Sequence, residues 1–204
     1  MAKIASWNVN SIRAREEHLK RWLSDNHVDI LGLQETKVQN QNFPLDFVNQ
    51  LGYQVFYSGQ KSYNGVCILF KGNAEFISDR IQGFSDEQKR VLAVEWKGIL
   101  IINIYVPNGG EIGSEKFDYK MNWLGAFCLW IKELNKTFKK IIVLGDFNIA
   151  PTDLDVHDPV LWHEKTLCSK RERGFLKDLK ELGLIETFRQ IDEDTRAFTW
   201  WDYR

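Results

Sequence analysis

Cysteine is scarce in this sequence. Cys67, Cys128 and Cys168 are odd in number, widely spaced and without a Cys-x-x-Cys pair. That excludes a disulfide framework and points to reduced thiols in an intracellular protein. The four histidines, His18, His27, His157 and His163, show no zinc-ligand spacing with one another or with the cysteines. Charge of one sign is missing as well: 27 Lys and Arg stand against 28 Asp and Glu, for a net charge of −1. Bulk attraction to nucleic acid or to a membrane surface is therefore excluded, and any anionic ligand must be met by a local site. No apolar run approaches the ~20 residues of a membrane span. The N-terminus also lacks the basic-then-apolar pattern of a secretory signal. The expectation is a soluble intracellular protein.

Apolar residues, by contrast, are plentiful. With 204 residues, 44% of them hydrophobic, the chain can bury about 70% of its unfolded surface without staples. One large domain is expected over 1–204. Short Ile- and Val-rich runs predict strands at Lys3–Trp7, Ile30–Leu33, Tyr53–Tyr57, Val66–Phe70, Val91–Trp96, Ile99–Val106 and Ile141–Leu144. Several are continuously apolar, as in strands covered on both faces. Helical spacing predicts Glu16–Asp25, with Leu19, Trp22 and Leu23 on one face, and a long helix over Ser114–Phe138. Ser169 followed by Glu172 is a capping-box pattern that opens a third helix, which Gly183 stops. All four prolines fall between these elements. The alternation predicts an α/β domain of sheets sandwiched by helices.

Three strands run directly into polar residues. Asn8 follows the first, Gln34 and Glu35 the second, and Gly145-Asp146-Phe147-Asn148 the seventh. The carboxyl edge of an α/β sheet is where ligands commonly gather. A lone acid there is usually a helix cap or turn former. Taken together, Asn8, Glu35, Asp146 and Asn148 offer oxygen donors suited to a hard cation such as Mg²⁺, which takes one or two protein carboxylates and keeps several waters. Asp146 and Asn148 are two apart, so along an extended segment both side chains would point the same way. Tyr105 and Asn108 end a fourth strand in a turn, with groups suited to hydrogen-bonding phosphate.

These segments carry a resemblance. Ser6-Trp7-Asn8-Val9-Asn10-Ser11-Ile12-Arg13, Leu33-Gln34-Glu35-Thr36-Lys37, Tyr105-Val106-Pro107-Asn108-Gly109 and Gly145-Asp146-Phe147-Asn148-Ile149-Ala150-Pro151 resemble, in order, the signatures of the exonuclease III family of apurinic/apyrimidinic (AP) endonucleases. Glu186-Thr187-Phe188-Arg189 and Phe198-Thr199-Trp200-Trp201-Asp202-Tyr203-Arg204 extend the match and favour the DNA-repair branch of the wider superfamily.

The resemblance implies a four-layer α/β sandwich of two packed β-sheets flanked by helices. It implies Mg²⁺-dependent incision of DNA at abasic sites, with 3′-to-5′ exonuclease and 3′-phosphatase activity, Mn²⁺ being able to substitute. By similarity, Glu35 is the principal metal ligand, with Asn8, Asp146 and Asn148 near the metal. Asp146 would activate the attacking water, while Asn148 and Tyr105 would hydrogen-bond the scissile phosphate. Arg13, Lys37, Tyr63 and Asn108 match positions that grip the DNA backbone, and Trp200 matches an aromatic lining the pocket for a flipped-out abasic sugar. The implied partner is double-stranded DNA with abasic sites or blocked 3′ ends, met by a monomer away from membranes, in the cytoplasm or nucleus. The family pattern continues past Arg204 through an Asp-containing strand and a closing Ser-Asp-His segment, so the resemblance also implies that these residues are part of a longer enzyme. Two other readings stand beside it: a superfamily phosphodiesterase with a non-DNA substrate, and a DNA-binding protein without catalysis.

Overall fold

The computed structural model describes residues 2–201. Two compact units divide them. One comprises the residues up to Tyr105 together with Thr137–Phe147, and the other comprises Val106–Lys136 with the residues from Asn148 onward.

The first unit is built on two four-stranded sheets. Strands β1 (Ile4–Asn8), β2 (Ile30–Gln34), β3 (Gln54–Ser58) and β4 (Val66–Phe70) form one sheet in the order β1-β2-β4-β3. Strands β5 (Ala74–Ser78), β6 (Val91–Trp96), β7 (Ile99–Tyr105) and β8 (Ile141–Asp146) form the other in chain order. Each sheet has one parallel pair, β1 with β2 and β7 with β8, and is otherwise antiparallel. Lys97 and Gly98 both have positive φ, 51° and 74°, so a two-residue turn whose twist matches the strands joins β6 to β7.

Period-two alternation assigns every side chain of β2 and β4 to a face. Ile30, Val66, Ile68 and Phe70 point between the sheets, where they meet Leu92, Val94, Trp96, Ile101 and Leu144. Leu31, Leu33, Cys67 and Leu69 point the other way. There they pack on Leu19 and Leu23 of α1 (Glu16–Asp25) and Val48 of α2 (Leu45–Gln50). Both faces of β2 and β4 are thus apolar, which is why these strands read as unbroken hydrophobic runs. The molecule is the α/β sandwich of two sheets flanked by helices that the sequence implies.

Between the sheets lies one polar exception. Gln34 and Asn103 are buried, and Gln34 Nε2 donates to Asn103 Oδ1 at 2.7 Å. Asn103 Nδ2 donates to the carbonyls of Leu33 and Cys67 at 2.9 and 2.8 Å. Every member has a partner, so the network ties β7 across the core to β2 and β4 and fixes where β2 ends. Asn103→Leu would take this donor from the carbonyls of Leu33 and Cys67 and leave Gln34 Nε2 with Ser6 Oγ and Gly32 O alone. It is expected to lower unfolding free energy by about 3 kcal/mol, measured by urea denaturation. A change below about 0.5 kcal/mol, the size of an ordinary surface substitution, would show that the network contributes nothing.

The second unit contains α3 (Glu115–Thr137), α4 (Pro159–Trp162), α5 (Lys170–Glu181) and α6 (Thr187–Ile191). Its apolar centre stacks Trp123 on Phe127 at 5.4 Å between ring centroids and sets Phe127 6.2 Å from Phe175 of α5. The Ser169 capping box is present in both directions: Ser169 Oγ accepts from Glu172 N, and Glu172 accepts from Ser169 N.

Several sequence expectations need correction. β5, α2, α4 and α6 have no counterpart among the predicted elements. Pro159 does not lie between elements but opens α4, where a missing N–H costs nothing. The aromatic run Phe198-Thr199-Trp200-Trp201, whose sequence reads as strand-like, forms no strand as far as Trp201; Trp200 and Trp201 lie in irregular, exposed chain. Asp202, Tyr203 and Arg204 fall outside the described residues. Among the described residues, no helix is long and apolar enough to cross a membrane.

Candidate active site

Parallel pairing sets the ends of the strands level. Asn8 is in register with Gln34 at the end of β1 and β2, and Tyr105 with Asp146 at the end of β7 and β8. Face-to-face packing of the two sheets then brings both ends together. Asn8 Nδ2 donates to Glu35 Oε1 and to Asp146 Oδ2, each at 2.8 Å. One amide nitrogen thus holds two carboxylates that are 111 positions apart in the chain (146 − 35).

The loops around this cluster are conformationally unusual. Asn10, Ser11, Glu35 and Lys37 all have positive φ, at 44°, 94°, 53° and 54°. Such positions cost roughly 1–3 kcal/mol each for residues with a side chain and persist only where surrounding bonds over-determine them. Those bonds are present: Ser11 N donates to Glu35 O at 2.7 Å, Ile12 N to Thr36 O at 3.2 Å and Lys37 N to Asn64 O at 2.9 Å. The left-handed turn at Glu35 presents its carboxylate to Asn8 instead of continuing the strand.

Electrostatics follow from the same contacts. Burial alone would raise the Glu35 carboxyl above its usual range, but hydrogen bonds from Asn8, Lys37 and Tyr105, with the nearby charge of Lys37, hold it below. Lys37 Nζ lies 3.0 Å from Glu35 Oε2 and also donates to Asn10 Oδ1. Burial, the charge of Glu35 and its own hydrogen bond to Glu35 push the Tyr105 hydroxyl up, so it stays a proton donor throughout the physiological range. Arg90 opposes that shift from 4.6 Å above the ring and donates to the Tyr105 carbonyl at 3.2 Å.

Glu35, Asp146 and the Asn8 side chain offer oxygen donors and nothing soft. Two carboxylates within reach of one amide suit a hard divalent cation that keeps water in its remaining positions. Among the described residues, no group of three or more His, Cys, Asp and Glu is placed to hold a metal. The all-oxygen donors of Glu35, Asp146 and Asn8 lack the sulfur and imidazole ligands of a structural zinc centre.

Of the other residues singled out in the sequence, Arg13 is at the surface of the same unit, its Nη2 donating to Asn42 O at 2.6 Å. Tyr63 is 71% exposed on the loop before β4. Neither is hydrogen-bonded to the carboxylate cluster. Asn108, Asn148 and Trp200 belong to the second unit. There Asn108 Nδ2 donates to Asn148 Oδ1 at 3.4 Å, and Asn148 Nδ2 donates to Val106 O at 2.9 Å. Trp200 is 47% exposed in the irregular terminal segment. The expectation that Asp146 and Asn148 share one face of an extended segment fails locally: β8 ends at Asp146, and Asn148 is left-handed, with φ 47°.

The sequence reading passes over Lys120 and gives Asn10 and Glu172 no role at the site. For Lys120 a signal exists. It falls at the core-facing spacing of α3, with Phe117, Leu124, Phe127 and Ile131, where a lysine is out of place unless paired.

The model of the Endonuclease/Exonuclease/phosphatase family matches residues 5–204. Exodeoxyribonuclease III of Haemophilus influenzae is 33% identical over 218 residues, spanning 99% of this chain and 80% of its own. The solved structure of the 3′ phosphatase NExo from Neisseria bound to product DNA hairpin superposes with a TM-score of 0.93 at 39% identity, over 100% of this chain and 80% of that one. An AP endonuclease from Archaeoglobus fulgidus gives a TM-score of 0.93 at 38% identity, over 100% of this chain and 79% of its own.

Proposed function

This chain belongs to the Endonuclease/Exonuclease/phosphatase family and is a phosphodiester hydrolase of the exonuclease III and AP endonuclease type, and from that premise we propose that it incises DNA at abasic sites with a divalent cation, Mg²⁺ in the first place. The observation that carries the proposal is the Asn8 amide bridging Glu35 and Asp146 at 2.8 Å to each. The accompanying activities are 3′-to-5′ exonuclease and 3′-phosphatase, the latter suggested by the Neisseria relative. Mn²⁺ substitutes for Mg²⁺, and the enzyme acts as a monomer.

Glu35 and Asp146 hold the cation, with Asn8 fixing both carboxylates and Asn148 close in sequence to Asp146. When bound, the cation neutralises charge that builds on the phosphoryl oxygens. Asp146 orients the attacking water and accepts its proton. Tyr105, kept protonated, donates to the phosphate, and Asn148 contributes an amide donor where another carboxylate would repel the anion. Arg13, Lys37, Tyr63 and Asn108 contact the backbone. The exposed ring of Trp200 is available to stack on a flipped-out sugar or base edge. Near-neutral net charge suits an enzyme that grips a short length of backbone.

The test is incision of a synthetic abasic duplex by the full-length enzyme. Activity is expected in Mg²⁺, abolished by excess EDTA and restored by Mg²⁺ or Mn²⁺. Full incision in excess EDTA would remove the cation from the proposal. Cleavage of non-DNA phosphodiesters with abasic DNA left intact would replace the substrate.

A further inference from the structure

The second unit buries an ion pair that the chemistry above does not use. Lys120 on α3 and Glu172 on α5 are each 0% exposed and bonded to one another. A buried pair of this kind is weak evidence of stability, because desolvating both charges offsets most of their attraction. What it does here is visible from its remaining bonds. Lys120 Nζ donates to the carbonyl of Asn148 at 2.7 Å and to that of Asn108 at 3.1 Å. Glu172 is anchored in turn: Oε1 accepts from Leu167 N at 3.0 Å, and Oε2 accepts from Ser169 N at 3.1 Å and Ser169 Oγ at 2.6 Å. One ammonium group therefore ties together the two loop residues whose amides are assigned to phosphate and backbone contact, and the capping box of α5 fixes that ammonium.

We infer that Lys120, held by Glu172, is a positioning residue that sets the backbone of Asn148 and Asn108 and through it the aim of the Asn148 amide. The inference rests on the assignment of Asn148 to the phosphate. Asn148 needs such a clamp. Its φ of 47° is a left-handed conformation, and the side chain is tied at a second point by Val106 O, so the Lys120 bond to its carbonyl fixes the peptide that follows. A shift of about 1 Å in a group that must meet a developing oxyanion costs on the order of a hundredfold in rate.

The experiment compares Lys120→Met, Lys120→Met with Glu172→Gln, Asn148→Ala, and Asn148→Ala with Lys120→Met in the full-length enzyme, reading Tm, kcat and KM on an abasic duplex. Lys120→Met alone strands a buried carboxylate and is expected to lower both Tm and kcat. Adding Glu172→Gln removes the stranded charge while keeping an acceptor for the capping box. Tm is then expected to recover, kcat to stay about a hundredfold low, and KM to stay within about threefold. In the Asn148→Ala background, Lys120→Met is expected to lower Tm again but to change kcat less than about threefold, since the group it aims is gone. Recovery of kcat together with Tm in the Lys120→Met, Glu172→Gln enzyme would overturn the inference and leave the pair purely structural. Normal kcat in Asn148→Ala would overturn the assignment of Asn148 itself, and the inference with it.

Discussion

Asp146→Asn is expected to lower turnover of the full-length enzyme on an abasic duplex by about a thousandfold, which is about 4 kcal/mol at ~1.4 kcal/mol per tenfold. Affinity for the same duplex is expected to change less than about tenfold. The substitution is nearly isosteric, so the contact between Asn8 Nδ2 and the retained side-chain oxygen at 2.8 Å can persist, and the end of β8 keeps its register with Tyr105. What disappears is a negative charge and a proton acceptor. On the proposed assignment both losses act on the reaction: the cation would be left with Glu35 as its one carboxylate, and the attacking water would lose its base. The contacts proposed for the DNA backbone use other residues and are untouched. Single-turnover incision and fluorescence-anisotropy binding measure the two quantities separately. Turnover within tenfold of the wild type would place proton acceptance on another group. A parallel collapse of binding would show that Asp146 organises the DNA surface as well as the chemistry.

The parts of this architecture that were legible in the sequence are those set by local pattern. β4 and β6 begin and end where their apolar runs do, and α1 and α5 follow from helical spacing and from the Ser169–Glu172 box. Asn8, Glu35 and Asp146 stood out because each follows a short apolar run, and the parallel pairs bring such positions to one edge. The missing elements are weakly patterned. β5 is a five-residue edge strand, Ala74-Glu75-Phe76-Ile77-Ser78, in which adjacent Phe76 and Ile77 break the period-two alternation. α2, α4 and α6 are no longer than six residues, too short to show a period. β8 runs two residues past its apolar core because Gly145 and Asp146 pair with Ile104 and Tyr105, a ladder that no local rule announces. The left-handed Asn148 is likewise a consequence of tertiary bonds, whereas the buried Lys120 is legible from its place on the apolar face of α3. Aromatic content misled at Phe198–Trp201: a hydrophobic run has no strand to join unless a neighbour offers a ladder, and as far as Trp201 the chain there is irregular.

The same two extra residues of β8 make the second large prediction. Gly145 sits in the ladder opposite Ile104 with φ +140°, a conformation that L side chains rarely adopt. A Cβ added there would lie 2.0 Å from the Ile104 carbonyl oxygen and 2.9 Å from both the carbonyl carbon and the nitrogen of Ile104. Those atoms are backbone in the middle of a sheet, so no rotamer change relieves the clash. Either β8 must move away from β7 or its last turn of ladder must open. Gly145→Ala is therefore expected to lower unfolding free energy by about 3 kcal/mol or more, the scale of strained backbone added to an overpacked contact. The pair next in register is Tyr105 with Asp146, so the displacement passes directly to the carboxylate held by Asn8. Even at a temperature where the variant is folded, kcat should fall about a hundredfold, as expected for a reacting group moved by about 1 Å. Gly125→Ala supplies the contrast. Gly125 is exposed within α3 with no atom near its added Cβ, so this variant should gain roughly 0.5–1 kcal/mol from helix propensity and keep full activity. Urea titration with a parallel incision assay reads both. Wild-type stability in Gly145→Ala would mean that the ladder at Ile104 is looser than its geometry implies. Lost stability with undiminished kcat would mean that Asp146 is aimed by Asn8 alone and not by its place in the strand.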